Sequence, residues 1–127
     1  MSEILDLLLS ADCPNVAKKL PEKQIEVVTL SKRLGRKAVF TIRALPYGKV
    51  QELRRMDDRS TQLQIVLHGC VDPDWKSTAL LDPEHGIATP LDAIQSRLLA
   101  GEIADIAFEI ERLSGYRQNT IGEVKND

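Results

Sequence analysis

Residues 89–116, TPLDAIQSRLLAGEIADIAFEIERLSGY, carry the pattern that decides the fold. Thr89 is a natural helix cap, and Pro90 suits the first helical position, where a missing amide costs nothing. Leu91, Ile94 and Leu98 recur at helical spacing. A break at Ala100-Gly101 separates them from a second stripe, Ile103, Ile106, Ala107, Ile110 and Leu113. Glu102, Asp105, Glu109 and Glu111 fill the rest of that surface, and acids at the start suit a helix N-terminus. Gly115 stands where a left-handed C-terminal cap is expected. The spacing predicts two consecutive helices, with Ile103, Ile106, Ile110 and Leu113 buried together.

Working outward, the chain of 127 residues is long enough for one domain with a real core. Hydrophobic content of 43% and charged content of 28% are those of an ordinary globule, and five aromatics make the core mostly aliphatic. A net charge of −2 with mixed signs argues against a dedicated nucleic-acid binder. No apolar run approaches a membrane span. The start, SEILDLLLSAD, lacks a basic n-region and a long apolar core. Cys13 and Cys70 are too few for a disulfide framework. The expectation is a soluble protein of a reducing cytoplasm.

Toward the N-terminus, Ser2 can cap a short amphipathic helix with Ile4, Leu5, Leu8 and Leu9 on its apolar side. Residues 12–21, with two prolines and Asn15, predict a loop. The period then changes. Ile25, Val27, Val28, Thr29 and Leu30 are β-formers, as are Val39, Phe40, Thr41 and Ile42. Between them lies SKRLGRK, with Gly35 placed for a turn of positive φ. The expectation is an antiparallel hairpin, roughly 24–32 against 37–45, with Lys32, Arg33, Arg36 and Lys37 at a solvated tip. Two strands alone are marginal, so the hairpin must pack on helices or gain strands from a partner.

Pro46 ends the second strand and can open a helix, PYGKVQELRRMDD, with Val50, Leu53 and Met56 inward. A further helix follows in RSTQLQIVLHGCV, with Ser60 as cap and Leu63, Val66, Leu67 and Cys70 as its stripe. Residues 71–89 are the least regular stretch. Asp72-Pro73, Asp82-Pro83 and Glu84-His85-Gly86 are turn signals, with one helical turn at Leu80-Leu81 between them. The expected architecture is α+β, an N-terminal antiparallel hairpin followed by a small bundle of about four helices. Residues 1–21 form a leading helix and loop, 22–116 the domain, and 117–127 a flexible polar tail.

No motif in the chain carries chemistry. His68 and Cys70 lie two apart on one helix and diverge, and adding His85 supplies no zinc-ligand spacing. Asp57, Asp58, Asp72 and Asp74 sit at helix ends or before proline, where structure alone accounts for them. No glycine-rich phosphate loop or nucleophile elbow occurs. The reading is a non-enzyme without cofactor, metal or catalytic residues. Trp75, in DPDWKSTALL, either pins an irregular loop to the core or marks a contact surface; the neighbouring pair Leu80-Leu81 favours contact.

The order of these pieces resembles the XkdN-like family of phage tail assembly chaperones. The resemblance rests on Pro73-Asp74-Trp75, Leu80-Leu81, Gly86, Thr89-Pro90, Leu98-Leu99, Gly101-Glu102-Ile103 and the run Ile110 to Tyr116, and covers about Ile25 to Tyr116. It implies a non-enzymatic role in a bacteriophage or prophage. Such proteins coat the tape measure protein before the tail tube polymerises, help recruit the tail tube protein, act in the bacterial host cytoplasm and are absent from the mature virion. A frameshifted longer product is common among them. The implied partners are the tape measure protein and tail tube protein, and neither nucleic acid nor membrane; separately, the hairpin edge would suit self-association by strand addition. Trp75, Leu80 and Leu81 are the candidate protein-binding residues. The competing reading is a small helical DNA-binding regulator, prompted by the consecutive helices of 46–71 with Arg54, Arg55 and Arg59, and opposed by the net acidity.

Overall fold

The computed structural model, which describes residues 2–56 and 60–124, has six helices and a three-stranded antiparallel sheet. The order along the chain is α1 (Glu3–Leu9), β1 (Glu22–Glu26), α2 (Val28–Leu34), β2 (Val39–Arg43), α3 (Tyr47–Arg55), α4 (Thr61–Gly69), β3 (Cys70–Asp72), α5 (Pro90–Arg97) and α6 (Ala100–Leu113). The α+β expectation holds, with the hairpin preceded by a helix.

The hairpin pairs Glu22 with Arg43 through Glu26 with Val39, so β1 and β2 are antiparallel as expected. The strands are shorter than the spans 24–32 and 37–45, because residues 28–34 leave the sheet and coil into α2. A bond from Val27 N to Ala38 O closes the neck of this excursion. Ser31 ties it further, its Oγ accepting from Ala38 N at 2.8 Å. Gly35 does take positive φ, 69°, but as the left-handed cap of α2 and not as a hairpin turn. β2 shows the two-residue period of a half-covered sheet: Phe40, Ile42 and then Ala44 are buried, while Val39 and Arg43 are exposed.

A third strand joins on the other side of β2. The helix expected to run through Val71 stops at Gly69, and Cys70–Asp72 turns into β3, antiparallel to β2 with a register shift between Thr41 and Ile42. The sheet order is therefore β1-β2-β3, with α4 and α6 laid over it.

The closing helices follow the sequence closely. Thr89 caps α5, its Oγ1 accepting from Asp92 N while Asp92 Oδ2 accepts from Thr89 N, a capping box with Pro90 at the first position. The break lies at Leu98-Leu99, two residues before the expected one; Gly101 falls inside the first turn of α6. Ile103, Ile106, Ala107 and Ile110 are buried and Leu113 packs beside them. The best-sequestered side chains are Ile42, Val66, Ile94 and Ile110, one each from sheet, α4, α5 and α6. Gly69 lets α4 and α6 approach: a Cβ there would lie 2.5–2.9 Å from three carbons of Ile110.

At the edges of the domain, α1 forms as expected, with Ser2 Oγ accepting from Leu5 N at 3.1 Å, yet it has no buried residue. Met56, expected inward, caps α3 in an exposed position, whereas Leu53 is buried. Past Tyr116, Arg117 pairs with Glu111 at 3.2 Å and stacks over Phe108, and Gln118 donates to Arg112 O.

Candidate functional site

The stretch 73–89 is irregular in sequence but well tied in the fold. Asp74 Oδ1 accepts from Lys76 N, and Ser77 caps a single 3₁₀ turn at Thr78–Leu80. Asp82 and Ile87 form an isolated antiparallel bridge, closed by Gly86 at φ 82°. His85 Nδ1 lies 2.7 Å from Asp82 Oδ2 within that turn.

Trp75 anchors the stretch. It is only 3% exposed, and its ring meets Phe40 edge-on at 6.2 Å and 65°. Its indole Nε1 has no hydrogen-bond partner of good geometry. Its burial fits the role of pinning the irregular loop to the core. Leu80 is half-buried and packs on the same core; Leu81, also half-buried, is the next residue. Sequence adjacency and the 3₁₀ turn therefore bring Leu80 and Leu81 together near the surface, while Trp75 lies beneath it.

The titratable groups do not assemble into a reactive set. Cys70, the first residue of β3, is buried, and burial pushes its thiol up to about 11, far from a thiolate at neutral pH. Burial first, then Lys49 and Lys76, lower His68 from its ordinary value. Asp72 and Asp74 are exposed. Asp57, Asp58 and Arg59 lie outside the described residues. Among the described residues no three His, Cys, Asp or Glu side chains converge as a metal site would require. Arg54 lies 4.9 Å over the Tyr116 ring, and Arg55 is exposed at the end of α3.

Two features were invisible to periodicity. The first is a buried carboxylate. Glu102, expected at the surface, is 6% exposed and receives both guanidinium nitrogens of Arg33 at 2.8 and 2.9 Å. Thr29 Oγ1 also donates to it, and Leu99 N donates at 2.7 Å, so Glu102 in the first turn of α6 satisfies the backbone N–H of the N-cap residue Leu99. Arg33 reaches on to Arg97 O at 3.2 Å. The Arg33 guanidinium, aided by Thr29 and Leu99 N, holds the Glu102 carboxyl down at about 2. Arg33 is thus a clasp between α2 and α6 and not part of a solvated tip. The available signal was Thr29 and Arg33 at i, i+4, which share a face only if the segment is helical.

The second is an apolar groove of about 430 Å³ under the 16–21 segment, where Val16, Leu20 and Pro21 face Tyr47, Val50, Leu113 and Tyr116. Tyr47 is 77% exposed there. Open apolar grooves and surface leucines on a small, well-tied α+β domain are the equipment of a protein-binding module.

The chain belongs to a family of that kind: residues 5–126 match the Phage XkdN-like tail assembly chaperone protein family. The match extends past the expected Ile25–Tyr116 range and takes in most of α1 and residues 117–126. The fold is shared with the crystal structure of the protein yqbn, at 18% identity and a TM-score of 0.61, covering 86% of this chain and 94% of that one. No curated protein matches the chain. Among the described residues no helix is long and apolar enough to cross a membrane.

Proposed function

We propose that this tail assembly chaperone binds the tape measure protein of its own phage or prophage and assists assembly of the tail tube around it. The observation that carries the reading is membership of the chaperone family along almost the whole chain. The physics is compatible with it. A tape measure helix presents apolar stripes with no core to cover them, and many copies of a small domain with modest apolar contacts hold such a client through avidity. The protein acts by binding, without turnover, in the host cytoplasm, and leaves before the virion is complete; the tail tube protein is its second partner. Residues 22–116 supply the domain, flanked by 1–21 and 117–127.

The client contact is assigned to the loop of Trp75, Leu80 and Leu81, with the two leucines nearer the surface and Trp75 in the core. A leucine pair on a tied loop suits the apolar stripe of a helix. Co-expression with the tape measure gene tests both levels. The client should stay soluble and co-elute with this protein, and Leu80→Ala with Leu81→Ala should weaken the complex. A client equally soluble alone, with no complex on size exclusion, refutes the chaperone reading. A complex indifferent to the double replacement refutes only the contact assignment.

A further inference from the structure

Helix α1 is an apolar element without a partner. Ile4, Leu5, Leu7, Leu8 and Leu9 are all exposed, between 41% and 72%, and the helix contributes nothing to the core. The groove under residues 16–21 is its complement in the same chain. Its floor is apolar, and a neighbouring hollow that shares Val16, Leu20 and Pro21 with it carries Lys18, Lys19 and Arg43, which make no ion pair among the described residues, beside Glu22; on the other side Glu111 is paired with Arg117. Residues 2–12 have the opposite sign, with Glu3, Asp6 and Asp12 and no base. Charge and polarity therefore match segment to groove.

Within one chain the two do not meet. Bonded turns follow the helix directly, with Cys13 N donating to Ser10 O and both Lys18 N and Lys19 N donating to Asn15 O. Asn15 Oδ1 accepts from Ala17 N as well. These turns keep α1 out of its own groove, whose lining includes the very segment that follows it. A second copy has no such restriction.

We propose that α1 of one copy seats in the groove of a second copy and receives that copy's α1 in return. The exchange is isologous, fills two grooves at once and closes as a two-fold pair, the low-cost route to a dimer through a swapped element. The alternative edge for self-association, β1, displays Glu22, Lys23 and Glu26, charges of the sort that guard a strand edge against pairing. The pairing is independent of the client reading and of Leu80-Leu81.

Sedimentation velocity of the full chain over a dilution series is the test, with circular dichroism as a folding control. The parent should be a concentration-dependent dimer. Leu5→Asp with Leu8→Asp should weaken the dimer at least about tenfold and leave the melting temperature unchanged at dilutions where the parent is monomeric, because α1 buries nothing within its own copy. Tyr47→Asp, an exposed groove position at the start of α3, should weaken it too. A chain monomeric throughout, with or without α1 docked on itself, overturns the proposal. So does a dimer indifferent to both the α1 and the groove variants.

Discussion

Replacing Glu102 with Gln keeps the shape of the side chain and an oxygen for Leu99 N, and removes the charge that Arg33 and Thr29 address. In the folded chain the carboxyl is held at about 2, against an ordinary 4.5. A folded value below the unfolded one means stability that is fully present above about 4.5 and lost as pH falls toward 2. Full linkage across that gap sets a ceiling of about 3 kcal/mol. Arg33 is 38% exposed, so water and salt screen the pair, and a loss of about 2 kcal/mol at neutral pH is expected. Urea unfolding of parent and variant from pH 7 down to pH 2.5 measures it. The gap between them should shrink to less than half at the acid end, since the parent carboxylate is then largely protonated in the unfolded chain. A gap that stays constant with pH would refute the charge argument and leave Glu102 as a matter of shape alone.

Three further perturbations follow from packing. Gly69→Ala drives a methyl into Ile110, which is wholly buried, so a loss of about 1–3 kcal/mol in urea unfolding is expected despite alanine's better helix propensity. Ile106→Asp places an unpaired charge where only 2% of the residue is exposed, and should cost several kcal/mol; an unchanged melting temperature would move this stripe from core to surface. Deleting residues 118–127 removes only the Gln118 contact from the described surface of α6, and should change stability by about 0.5 kcal/mol or less in thermal unfolding.

The helices α5 and α6 were legible because every local signal agreed: the Thr89 cap, Pro90, Asp92 and an uninterrupted apolar period. α2 was not, because Val28, Thr29 and Leu30 favour strands and no polar cap announces a helix. The bond from Thr29 and Arg33 to Glu102, some seventy residues away, overrides that preference, and a window of a dozen residues cannot contain it. Glu102 was misplaced for the same reason, since a carboxylate at a helix start looks solvated until its partner is known. β3 is three residues long, too short to establish a period. Trp75 was legible as a choice between two roles, and burial against Phe40 decides where it sits.

The wholly buried Ile94 and Ile110 both lie late in the chain, on the helices that pack over α4 and the sheet. A nascent chain whose α5 and α6 have yet to leave the ribosome therefore holds its strands and α4 without their cover. Until those two helices emerge, the uncovered strands and the bare α4 face are open to proteases and to other nascent chains. The emergence of the last two helices sets when each new copy closes against attack.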